Sequence, residues 1–107
     1  LYIADPWCGF RVTNQFWVDF TAGLTAIGSG DWSRMPKDKP IYVFAGERDP
    51  VGKMGKGVRA LISHLRRAGC DRIEEKLYAD GRHEMLNEIN REEVMGEVAA
   101  FLDRALR

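Results

Sequence analysis

Pro40-Ile41-Tyr42-Val43-Phe44-Ala45-Gly46-Glu47-Arg48-Asp49-Pro50-Val51-Gly52 decides the fold class. Ile41 to Ala45 is a short, continuous apolar run between a proline and a glycine. A strand with no polar face is what a parallel sheet covered on both sides requires. The residues after it form a turn-rich loop at the strand's carboxyl end. Ligands and catalytic groups of open α/β sheets gather at that end.

Working toward the carboxyl terminus, Val58, Leu61, Ile62 and Leu65 mark one face of a helix that ends near Gly69. Ile73 to Tyr78 reads as a second, more polar strand, nearer a sheet edge. Asn90 and Glu93 resemble a helix-start capping pair, and Val94, Val98, Phe101, Leu102 and Ala105 form the apolar stripe of a closing helix. Strand, helix, strand and helix at these spacings predict an α/β unit with parallel strands over residues 36–107.

Working toward the amino terminus, Pro36-Lys37-Asp38-Lys39-Pro40 and Gly28-Ser29-Gly30-Asp31 set off a first region, residues 1–35, of different character. Its aromatic residues Trp7, Phe10, Phe16, Trp17 and Phe20 crowd the first twenty positions. Phe16, Trp17, Phe20, Leu24 and Ile27 keep a helical spacing, with Thr13 as N-cap and Gly28 as the stop.

The 107 residues allow one small domain, and the 45% apolar content suffices for a core. Sixteen basic residues cancel sixteen acidic ones, so charge gives no reason to expect nucleic acid or an anionic membrane as partner. No stretch has the apolar length of a membrane span, and no signal-peptide pattern opens the chain. Cys8 and Cys70 read as reduced thiols of a cytoplasmic protein, with a single bridge as the other reading. A start at Leu1 rather than Met is expected of a piece of a longer polypeptide.

The chemistry sits in two loops. Gly46 to Gly52 follows the first strand, and Ala79-Asp80-Gly81-Arg82-His83-Glu84 follows the second. If the strands are neighbours, Asp49 and His83 emerge side by side. A carboxylate beside an imidazole fixes its tautomer and stabilises the imidazolium formed when it takes a proton. Asp49 suits that role if its shorter side chain leaves the loop toward the histidine; otherwise Glu47 does. The residues alone equally admit a plainer reading, with Asp49 a turn residue before Pro50 and His83 an exposed loop residue.

The stretch Pro40 to Gly52 resembles the acid-bearing strand and loop of the lysophospholipase and monoacylglycerol-lipase type of α/β-hydrolase (the serine aminopeptidase S33 family). Gly81-Arg82-His83-Glu84-Met85-Leu86-Asn87-Glu88 is similar to the histidine loop of that family. The order serine, acid, histidine of the fold also fits. The resemblance implies that residues 36–107 are the C-terminal part of an α/β-hydrolase fold, with Asp49 as triad acid and His83 as general base. It implies that residues 1–35 are the end of a helical cap, whose Trp7, Phe10, Phe16, Trp17 and Phe20 shelter an acyl chain. Core packing is the plain alternative for each ring.

The same resemblance leaves a gap. A nucleophile elbow, Gly-x-Ser-x-Gly, occurs nowhere in the chain. Ser29 lacks the glycine spacing, Ser33 lies in a loop and Ser63 inside a helix. Gly52, Gly55 and Gly57 fail the phosphate-loop pattern, since Val58 follows the last glycine, and read as a flexible, solvated loop. His83-Glu84 starts like a zinc motif, but Asn87 stands where the second histidine belongs, so no metal is expected. The expectation is a serine hydrolase of carboxylic esters on a lipid-like small molecule, with no cofactor and the nucleophile outside these residues. Two alternatives stand beside it. One is an inactive fragment that folds by association, for instance as a homo-oligomer through open sheet edges. The other is an α/β-hydrolase of the epoxide hydrolase or dehalogenase branch, which uses an aspartate nucleophile.

Overall fold

The computed structural model describes residues 4–30 and 32–107. They divide into two compact units, Leu1–Asp31 and Trp32–Arg107.

The first unit is built on helix α1, Asn14–Gly28. Thr13 caps it, its hydroxyl oxygen accepting from the Phe16 amide at 3.1 Å, which satisfies one of the orphan donors of the first turn. The aromatic rings are close along this helix. Phe16 stacks on Phe20 at 5.8 Å between centroids, and Trp17 meets both edge-on.

The second unit holds strand β1 (Ile41–Gly46), helix α2 (Lys56–Arg67), strand β2 (Ile73–Tyr78) and helix α3 (Arg91–Ala105). Short 3₁₀ turns occur at Trp32–Arg34 and Met85–Asn87. The strands are parallel and adjacent, in a register that runs from Ile41 opposite Ile73 to Gly46 opposite Tyr78. The α/β reading and the parallel pairing are therefore observed. Side chains alternate across such a sheet, so Tyr42, Phe44, Lys76 and Tyr78 share one face. Helix α3 covers it: Tyr42 stacks on Phe101 at 5.2 Å, and Tyr78, Met85 and Val94 form the core with Phe44 against them. Arg66 of α2 pairs with Glu75 at 3.1 Å, which puts α2 on the opposite face.

Local details depart from the sequence reading in two places. Leu102, expected in the buried stripe of α3, is 50% exposed; two strands are too narrow to cover the whole apolar stripe of a four-turn helix. Asn90 is the N-cap residue of α3, but its side chain bonds the Glu93 carboxylate at 3.2 Å rather than a backbone amide.

What positions the site is the meeting of the two loops beyond the strand ends. The Tyr78 carbonyl accepts from both Glu47 N, at 2.9 Å, and Gly81 N, at 3.1 Å, while the Gly81 carbonyl accepts from Arg48 N at 2.9 Å. This close crossing needs glycine at position 46. A Cβ on Gly46 would stand 2.1 Å from the Gly81 carbonyl carbon and oxygen, and one on Gly81 would stand 2.4 Å from the Met85 sulfur. Backbone cannot swing aside as a side-chain tip can. Gly46→Ala is therefore expected to cost about 3 kcal/mol, the upper range for overpacking, read as a lower urea midpoint in chemical denaturation; an unchanged midpoint would contradict this crossing.

Candidate active site

Asp49 is held by its own loop. Its Oδ1 accepts from Val51 N at 2.8 Å and its Oδ2 from Gly52 N at 3.1 Å, an Asx-type turn that only a short side chain can close. The Asp49 carbonyl accepts from Met54 N at 2.8 Å. To return the chain to α2, the loop runs through three successive residues of positive φ: Lys53 at 53°, Met54 at 54° and Gly55 at 77°. The segment folds back on the carboxylate and leaves Asp49 only 7% exposed.

His83 approaches from the second loop, its Nδ1 lying 3.1 Å from Asp49 Oδ2. The imidazole pulls the Asp49 carboxyl below the usual carboxylate range; burial pushes the other way, and the Val51 and Gly52 amides add to the lowering. Asp49 is thus ionised and can only accept, so Nδ1 carries the proton. Nε2 then keeps the lone pair when the ring is neutral. The Asp49 hydrogen bond and charge raise the His83 pKa above its ordinary value. The His83 side chain is 58% accessible and that of Asp49 is 10%: one partner is fixed, the other reaches outward.

Glu47, the other candidate acid, is taken up by a salt bridge to Arg59. Beside the pair, Phe44, Ala45, Met85 and Leu86 line an open hollow of about 380 Å³. A larger one, about 570 Å³, lies among Arg48, Lys76, Asp80, Arg82, Glu88 and Ile89 and contains no acid–imidazole pair. Of the expected acyl-binding rings, Trp7 and Phe10 precede α1 and Phe16, Trp17 and Phe20 lie on it. All five are exposed, by 43% to 84%, so none packs as core. No group of three His, Cys, Asp or Glu side chains suited to a metal occurs among the described residues, and no helix there is long and apolar enough to cross a membrane.

Two features went unread in the sequence. Glu97 of α3 accepts from the hydroxyls of Tyr42 and Tyr78 and from Lys76. Burial and that carboxylate raise the Tyr78 phenol well above its ordinary value, so it stays a neutral donor. Glu88 accepts from both the main chain and the side chain of Arg82. Nothing in the spacing of either glutamate distinguishes it from its exposed neighbours, although Glu88 does lie in the quoted histidine-loop stretch.

A parallel pair of strands with the acid after the first and the histidine after the second is the arrangement of the α/β-hydrolases. The model of the serine aminopeptidase, S33, family matches residues 1–90. The chain belongs to the serine aminopeptidase S33 family. That membership makes it an α/β-hydrolase and implies hydrolase chemistry in general terms. No curated protein and no solved structure matches the chain.

The pair also fixes a pH window for stability. Asp49 has a depressed folded pKa, so its contribution is present above the ordinary carboxylate value of about 4 and lost as pH falls through the folded value. His83 has a raised folded pKa; its contribution is complete below the ordinary value of about 6.5 and lost as pH rises through the folded value. Both act together between those limits. Thermal melting at a series of pH values should show the stability falling above about pH 6.5, and His83→Ala should remove that alkaline decline. A decline that survives in the variant would assign it elsewhere.

Proposed function

We propose that this chain supplies the acid and the base of a serine esterase that acts on lipid-like acyl esters of the lysophospholipid or monoacylglycerol kind. The observation that carries the reading is the Asp49–His83 hydrogen bond at the carboxyl end of adjacent parallel strands. The serine lies outside these residues, in a preceding segment, because the fold orders its triad serine, acid, histidine and the chain has no Gly-x-Ser-x-Gly.

His83 Nε2 takes the serine proton as the hydroxyl attacks the ester carbonyl. Asp49 stabilises the resulting imidazolium and holds the tautomer that leaves Nε2 free. Collapse of the tetrahedral intermediate expels the alcohol, which takes the proton from His83, and leaves an acyl-enzyme. His83 then draws a proton from water to release the carboxylic acid. The rings Trp7, Phe10, Phe16, Trp17 and Phe20 are exposed apolar surface of the kind an acyl chain binds. They favour an ester with a long apolar group over a peptide amide.

The test is made in the longer polypeptide that carries the serine. There, Asp49→Asn should lower kcat on a monoacylglycerol by about 10³- to 10⁴-fold, since the wrong tautomer then blocks Nε2. The acid limb of the pH–rate profile should move down from its position above the ordinary histidine pKa. Unchanged kcat would reject Asp49 as the acid. A faster turnover of aminoacyl amides than of acyl esters would reject the substrate class. Fluorophosphonate labels activated serines, so it should label the longer polypeptide and leave these 107 residues alone unlabelled. Labelling of Ser29, Ser33 or Ser63 would overturn the assignment of the nucleophile.

A further inference from the structure

The histidine loop is closed on itself. Arg82 stands directly before His83, and its main-chain N–H donates to Glu88 Oε1 at 3.0 Å. The Arg82 Nε donates to the same oxygen at 3.2 Å. The Glu88 side chain is only 12% accessible. Its charge-assisted bonds are stronger than those between neutral groups. Both Arg82 bonds hold the Glu88 carboxyl below its usual range. At its other end, the Glu88 carbonyl accepts from Arg91 N at 3.1 Å, which ties the clasp to the first turn of α3. Between the two ends, Met85 is buried under Gly81. His83 itself is largely exposed and has the single bond to Asp49, so the direction of its ring depends on the backbone that carries it.

We infer that Glu88 is a positioning residue: its carboxylate closes the loop from Arg82 to Glu88 and thereby holds the His83 ring in line with Asp49. The inference rests on the pairing of Asp49 and His83 proposed above. The main-chain bond is the part that matters, because the guanidinium arm is largely exposed while the N–H lies next to the histidine.

The experiment uses the whole chain labelled with ¹⁵N-histidine, with His64 removed as His64→Gln to leave one ring signal. Ring ¹⁵N shifts report the tautomer, and their titration reports the pKa. In this background His83 should be mainly the Nδ1–H form and titrate above about 6.5. Glu88→Ala removes the acceptor, and Glu88→Asp withdraws it by a methylene while keeping the charge. Each should lower the Nδ1–H fraction by roughly half or more and return the pKa toward the ordinary value. Glu88→Gln, which keeps an acceptor oxygen, and Arg82→Ala, which keeps the N–H, should both hold the parent pattern. Amide dispersion of β1 and β2 in the same samples reports the fold. If a variant loses it, hydrogen exchange in the parent chain decides, since the Arg82 amide must be protected. An Arg82 amide exchanging as in a free peptide, or a folded Glu88→Ala or Glu88→Asp variant with the parent tautomer, overturns the role of Glu88. A parent chain lacking the Nδ1–H form overturns instead the pairing on which the esterase reading stands.

Discussion

Gly46, the last residue of β1, and Gly81, in the loop after β2, meet so closely that a Cβ on Gly46 would strike the Gly81 main chain. That approach fixes the geometry of everything above the sheet. With no Cβ between them, the backbones bond directly, through the Tyr78 and Gly81 carbonyls. Asp49 lies three residues beyond the first glycine and His83 two beyond the second. So short a lever from a backbone-to-backbone contact leaves the carboxylate and the imidazole little freedom to miss each other. Side-chain packing alone would leave that distance to rotamer choice. Here the main-chain crossing sets where the two loops start, and side-chain bonds complete the approach.

The pair divides its work by exposure. Asp49 is buried and accepts from Val51, Gly52 and His83, so the charge is compensated on every side and the carboxylate costs little to keep ionised. His83 is accessible, and its Nε2 lies outside the bond to Asp49. Were the exposures reversed, a wet carboxylate would orient its partner poorly, and a buried imidazole would resist protonation by desolvation. The raised pKa of His83 and the lowered one of Asp49 are two expressions of the same hydrogen bond.

Much of this could be read from the residues, and the limits have physical causes. The elements were legible because their signals are local. The apolar run of β1, the Thr13 cap and the helical spacing of Phe16, Trp17 and Phe20 each lie within a few residues. The span of β2 was legible too, despite Glu74, Glu75 and Lys76. The choice of Asp49 over Glu47 depended on the loop's hydrogen bonds, which a sequence does not display. The same holds for Glu88: its partner is a main-chain N–H, and a main-chain donor has no letter in the sequence. The exposure of Leu102 was missed because a stripe on a helix says how much apolar surface exists, and the width of the sheet decides how much of it is covered.

The polar character of β2 follows from the layers around it. Glu74 pairs with Arg104 and Lys76 with Glu97, both from α3, whereas Glu75 on the other face pairs with Arg66 of α2. Successive residues of one strand thus find opposite charges on opposite sides, as the two-residue period of a strand demands. Exposed ion pairs add little stability, but a one-residue slip would exchange every partner at once. Slippage would also carry Tyr78 away from Glu97, the carboxylate that ties both tyrosine hydroxyls to α3. Tyr78 is the residue whose carbonyl joins the two loops. Charge pairing along β2 therefore acts at a distance on the site: it pins the register, the register places Tyr78, and Tyr78 places the crossing from which Asp49 and His83 diverge.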